Sequence, residues 1–110
     1  MAETYRTLTS RDVGVTRTRV GSYTAPSGAQ TIVIGLTVAN KTASTVKASI
    51  EHHDGTNYTL IIDETDLATG QTLAPLSEAG KIVLRVGEGI FVTSNTATSL
   101  DVAMSVVELT

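Results

Sequence analysis

Gln30-Thr31-Ile32-Val33-Ile34-Gly35-Leu36-Thr37-Val38-Ala39-Asn40 decides the fold class. Branched side chains dominate the run, and they suit a pleated sheet better than a helix. Simple alternation puts Ile32, Ile34, Leu36 and Val38 on one face. Val33, Gly35, Thr37 and Ala39 take the other face, and they are small enough to lie against a loop or another chain. Turn chemistry bounds the strand on both sides. Before it stands Tyr23-Thr24-Ala25-Pro26-Ser27-Gly28, where Pro26 presets one dihedral and Gly28 accepts positive φ. After it stands the loop Asn40-Lys41-Thr42-Ala43-Ser44.

The same pattern continues outward. Val46, Ala48 and Ile50 alternate with Lys47, Ser49 and Glu51, a strand with one wet face. Asp54-Gly55-Thr56-Asn57 is a hairpin turn, and residues 58–62 return from it. Asp63-Glu64-Thr65-Asp66 follows as an acidic loop. Thr69-Gly70 turns into residues 71–76. Glu78-Ala79-Gly80 turns into residues 81–86, with Ile82, Leu84 and Val86 pointing inward. Gly87-Glu88-Gly89 is a corner before residues 90–94, and Asn95-Thr96-Ala97-Thr98 is a loop. The last strand spans residues 99–109, with Leu100, Val102, Met104 and Val106 on one face. Upstream, residues 15–23 read as a strand, and residues 4–10 as a short strand or arm. No apolar stripe of helical period appears with a cap and a stop. The expectation is an all-β antiparallel sandwich of about eight strands, jelly-roll or immunoglobulin-like. Residues 1–14 form an N-terminal arm or edge strand, and residues 15–110 form the single domain.

Composition narrows the function classes. At 41% apolar and 17% charged residues, the chain is too apolar for disorder and slightly under-charged for a free monomer. Some of its weakly polar surface is therefore expected to lie under a partner. No cysteine is present, which removes disulfides, thiolate zinc sites and cysteine nucleophiles. The N-terminus lacks the pattern of a signal peptide, and no apolar run approaches a membrane span. A net charge of −3 speaks against nucleic-acid binding. Yet Arg6, Arg11, Arg17 and Arg19 supply half of the 8 basic residues. They make a basic segment able to dock on an acidic neighbour.

No constellation calls for catalysis. His52-His53-Asp54 has the right residue types, but strand neighbours point to opposite faces, so both rings cannot reach one metal. Asp63, Glu64 and Asp66 lack the spacing of a calcium loop. Gly87-Glu88-Gly89 has neither the lysine nor the helix of a phosphate cradle. No serine sits in a nucleophile elbow. Glycosylation patterns at Asn40 and Asn57 carry no weight without a secretion signal. No catalytic residue, metal site or cofactor is assigned, and the chain is expected not to be an enzyme.

Gly21-Ser22-Tyr23-Thr24-Ala25-Pro26-Ser27-Gly28, Gly35-Leu36-Thr37-Val38-Ala39-Asn40, Asp54-Gly55, Gly80-Lys81-Ile82-Val83-Leu84, Gly87-Glu88-Gly89-Ile90 and Ser105-Val106-Val107-Glu108 occur in an order that resembles small virion proteins of tailed bacteriophages. The resemblance spans roughly residues 21–109 and departs at Gly89, where that pattern has Asp. It rests on turn and core residues, so it implies a fold and carries over no functional residue. It implies a capsid decoration or cement protein on the outer surface of a virion assembled in the host cytoplasm. The partners implied are the major capsid protein or other virion proteins, with the chain itself a homo-oligomer, dimer or trimer, and with neither nucleic acid nor membrane bound. A neck, tail or baseplate component is the alternative, and a carbohydrate- or receptor-binding module a further one. Candidate contact residues are Tyr5, Arg6, Arg11, Arg17 and Arg19 along the basic segment, and Lys41, Thr42 and Asn95 in the loops.

Overall fold

A computed structural model describes residues 2–76 and 81–110. Within them run β1 (Glu3–Val13), β2 (Thr18–Arg19), β3 (Gln30–Asn40), β4 (Val46–His53), β5 (Tyr58–Leu67), β6 (Thr72–Leu73), β7 (Ile82–Leu84), β8 (Gly89–Ser94) and β9 (Leu100–Leu109). The first sheet has the order β1-β9-β3-β6, with β7 also on β3, and the second has the order β2-β8-β4-β5. All pairings are antiparallel. The all-β sandwich is therefore observed. Its strand order is that of a jelly roll, because β1 and β2 lie in different sheets, whereas an immunoglobulin-like domain keeps its first two strands in one.

Local chemistry explains the hairpin. Asp54 Oδ1 accepts from the N–H groups of Thr56 at 2.9 Å and Asn57 at 2.6 Å, closing the β4–β5 turn. Those two donors hold its carboxyl below the ordinary aspartate range. Elsewhere the turns are less regular than the sequence suggests. Of residues 15–23, two form β2, and Val20–Ser22 makes a single 3-10 turn. Of residues 71–76, β6 takes two.

The core lies between the sheets and is aliphatic. Val46, Ala48 and Ile50 of β4, and Leu100, Val102, Met104 and Val106 of β9, are buried as alternation requires. β3 departs from the expected phase. Its inward residues are Thr31 and Val33, then Leu36, Val38 and Asn40, while Ile34 is 40% exposed. The cause is a bulge: Val33 pairs with Val106 and Gly35 with Ser105, leaving Ile34 unopposed and shifting every later residue by one. Val86 also departs, standing exposed in the turn after β7. The acidic run is not a loop. Asp63, Glu64 and Asp66 lie on β5, an edge strand whose register with β4 shifts twice and whose Glu64 has φ +43. Bulges and charges of this kind guard an edge against unwanted pairing. The expected Glu78-Ala79-Gly80 turn lies outside the described residues.

Buried polar groups are tied internally. Among the described residues, no buried side-chain nitrogen or oxygen lacks a partner. Asn40, 3% exposed, donates to the carbonyls of Ser44 at 2.7 Å and Leu67 at 2.9 Å. Its Oδ1 accepts from Thr42 N and Thr42 Oγ1, both at 2.8 Å. At the opposite end, buried Glu108 accepts from Tyr23 Oη at 2.6 Å and from Arg6 Nε at 2.9 Å.

This second network gives the protein a defined pH response. The bonds from Tyr23 and Arg6 hold the Glu108 carboxyl below its ordinary range, against the opposing pull of burial. Burial, helped by the bond to Glu108, pushes the Tyr23 hydroxyl up to about 12. A depressed carboxyl adds stability above its unfolded pKa, roughly 4.3, and that stability is lost as pH falls through the folded value. A raised phenol does the reverse: its contribution is complete below about pH 10 and is lost as pH climbs towards its folded value. Thermal melts across pH should therefore show an acid limb shallower in Glu108→Gln and an alkaline limb shallower in Tyr23→Phe. An acid limb unchanged in Glu108→Gln would remove this carboxylate from the account.

Candidate interaction surface

The outward face of the second sheet gathers cations and aromatic rings. In one cross-strand row Arg19 pairs with Phe91, Phe91 with Glu51, and Glu51 with Leu60. In the next row Gly89 pairs with His53 and His53 with Tyr58. Arg17, just before β2, forks onto buried Glu51, with Nε donating at 2.7 Å and Nη2 at 3.0 Å. Its guanidinium also lies 3.8 Å from the centre of the Tyr58 ring. Arg19 stands 4.7 Å over Phe91 and donates to His53 Nδ1 at 3.3 Å. Tyr58 is 4.4 Å from His53 and 5.1 Å from Phe91, centre to centre, and His53 is 5.2 Å from Phe91.

Glycine at position 89 is what admits Arg19. A Cβ there would collide with Arg19 Nη1 and sit 2.9 Å from the Tyr23 carbonyl. The outcome is a platform of two arginines, each held by a ring and a hydrogen bond. Pinned side chains lose little rotamer freedom when a partner docks, although the charge of Arg17 is already paired with Glu51. The aromatic residues look scattered along the sequence, yet Tyr58 and Phe91 meet here.

The other candidate residues fall elsewhere. Tyr5, Arg6 and Arg11 belong to β1, in the first sheet. Tyr5 is exposed and donates to Glu3 at 2.8 Å, and Arg6 is committed to Glu108. Arg11 borders a shallow depression on the outer face with Thr9, Thr37, Ala39, Asp101 and Ala103. Lys41 bridges Asp12 at 2.5 Å and Asp101 at 3.1 Å. Thr42 bonds to Asn40, and Asn95 Oδ1 accepts from the N–H of Lys47 at 2.9 Å. The eight candidates thus do not gather into one site: Thr42 closes its own loop, while Lys41 and Asn95 tie their loops to strands β1, β9 and β4. Asn40 of the glycosylation pattern is buried.

The histidine pair splits as strand geometry requires. His53 joins the aromatic platform, while His52 Nε2 donates to Glu88 at 3.0 Å at the rim of the sandwich. Asp66 of the acidic run accepts from Lys47 Nζ at 2.7 Å. Among the described residues no group of three or more His, Cys, Asp or Glu is placed to hold a metal ion. No helix there is long and apolar enough to cross a membrane.

Solved structures similar to this chain include two assembly proteins. One is a subunit of Bacillus endospore appendages, a family of disulfide-linked pili, with TM-score 0.62 and 11% identity over 99% of this chain and 87% of that chain. Another forms the virus-like particle of the extra small virus of the giant freshwater prawn Macrobrachium rosenbergii, with TM-score 0.46 and 12% identity over 97% of this chain and 78% of that chain. At 11% identity the likeness to the first is one of fold. No protein-family model and no curated relative matches the sequence.

Proposed function

We propose that this chain is a structural assembly protein that works by adhering to other proteins, and more narrowly a capsid decoration protein seated on the major capsid protein of a virion. The observation that carries the reading is, among the described residues, a sandwich with its buried polar groups internally satisfied and one long strand, β1, regular from Glu3 to Ser10 and open at its edge. A rigid body gives up little conformational freedom on docking, and many weak copies on a lattice hold through avidity. The sequence resemblance to phage virion proteins supports the finer step. The jelly-roll likeness to a pilus subunit agrees with a building-block role, although a chain without cysteine cannot form the disulfide links of those pili. Catalysis has no place in the reading.

Purified chain should bind expanded phage shells at saturating, symmetric stoichiometry and raise the temperature at which they burst. Cosedimentation and cryo-microscopy read both, and density confined to the neck or tail would favour that position instead. A second reading has one observation of its own, the Tyr58–Phe91–His53 platform, since ring faces are what sugars stack on. Arg17 and Arg19 cover those rings, so a glycan array is expected to be blank.

A further inference from the structure

Among the described residues β1 has the longest unshifted run of any edge strand, Glu3–Ser10, and its register shifts only beyond that run, between Ser10 and Val13, where Asp12 has φ +59. Among the described residues it pairs with β9 on one side and with no strand on the other. Its pairing runs without a shift from Glu3 opposite Leu109 to Ser10 opposite Val102. The other long edge, β5, is interrupted by bulges and charge. The remaining edges, β2, β6 and β7, are two or three residues long.

The direction of the free backbone groups follows from the ladder. Ala2 and Thr110 exchange both of their hydrogen bonds, at 3.1 and 2.9 Å. In an antiparallel pair such residues alternate with residues whose groups point away. Thr4, Arg6, Leu8 and Ser10 therefore bond to β9, while Glu3, Tyr5, Thr7 and Thr9 aim N–H and C=O at the open side. The side chains of those same odd residues lie on the outer face, because even-numbered Leu8 stands opposite buried Met104.

We infer that β1 pairs antiparallel with β1 of a second copy about a two-fold axis at Thr7. The inference rests on the assembly reading above and names its partner. Backbone parity admits registers that join odd residues to odd residues. With Thr7 opposite Thr7 of the second copy, Tyr5 meets Thr9, and Arg11, which follows the regular run and lines the outer face beside Thr9, comes next to Glu3 at both ends of the seam. Opposite charges and threonine pairs directly across a sheet are each stabilising. A slip that centres the axis on Arg6 sets Arg6 against itself and loses both Glu3–Arg11 pairs. A slip that centres it on Leu8 places Arg11 opposite Tyr5. The strand is thus self-complementary in one register, and the pair fuses two first sheets into one continuous sheet across the dimer.

The test uses the absence of native cysteine as a clean background. Thr7→Cys should oxidise to a covalent dimer, and Thr9→Cys alone should not. Sedimentation of the unmodified chain should show a dimer. Glu3→Arg or Arg11→Glu should weaken it roughly tenfold, and the double exchange should restore it. Thr7→Pro removes an N–H from the open side alone and should give a folded monomer by circular dichroism. A chain that stays monomeric to about 1 mM, a range in which even weak pairs populate, overturns the inference. So does a dimer untouched by Thr7→Pro, which would use another face. A monomer that still coats shells defeats this pairing and leaves the decoration reading intact. A cross-linkable dimer that coats nothing does the opposite.

Discussion

Asn40→Asp should cost about 3 kcal/mol of unfolding free energy at neutral pH, and the loss should shrink as the solution is acidified. A single oxygen-for-nitrogen exchange removes both donors of a buried side chain. Two backbone carbonyls, of Ser44 and Leu67, would then face an acceptor at 2.7 and 2.9 Å. Each unsatisfied buried group costs roughly 1–3 kcal/mol, and a buried charge adds to that. Protonation returns one donor and removes the charge, so the variant's deficit relative to the parent should be smaller in mild acid. Asn40→Ala should cost about 2 kcal/mol with no such pH signature, because it removes bonds without creating repulsion. Urea melts at two pH values separate these outcomes. Equal losses for both variants at both pH values would show that the loop 40–44 is not pinned through this amide.

Gly21→Ala should destabilise by about 3 kcal/mol, while Gly28→Ala should cost only about 1. Both glycines have positive φ, +61 and +80, where a side chain costs roughly 1–2 kcal/mol. They differ in space. A Cβ on Gly21 would stand 2.7 Å from Leu8 Cβ, whereas one on Gly28 would meet nothing within 4 Å. Overpacking adds roughly 1–3 kcal/mol in the first case and nothing in the second. For a domain of this size the first loss lowers the thermal midpoint by more than about 10 °C. Equal midpoints for the two variants would mean that the 3-10 turn moves aside freely, and that Gly21 does not fasten β1 to the rest of the body.

Strand identity was legible wherever one face is wet. β4 and β9 alternate between aliphatic and polar residues, and the alternation reports the side each residue faces. β3 is apolar on both faces, so its sequence has no polar marker to show that Ile34 is skipped. The acidic run misleads for a related reason. Charges on an edge strand look like charges in a loop, because both face water. Positions 15–23 carry β-forming residues, yet most of them bridge the two sheets instead of pairing.

The candidate surface was less legible than the fold. Arg17 and Arg19 stand out in sequence as period-two cations, but their rings arrive from β4, β5 and β8. Knowing that Phe91 faces Arg19 requires the register between strands distant in the chain. Lys41, Thr42 and Asn95 are polar loop residues, the type that serves equally to meet a partner or to close a loop. Nothing in the local sequence distinguishes the two uses.

The doubly bonded contact between Ala2 and Thr110 makes the backbone nearly circular. A linker of a few residues across that point would turn β1 and β9 into a hairpin, and new ends opened at Gly55, in the exposed β4–β5 turn, would give a circular permutant with the same sheets. Fusing the two partners that lie farthest apart along the chain makes their contact local, and lower contact order speeds folding. Cargo appended beside Ala2 or Thr110 would leave from a single corner of the body, beside the edge strand.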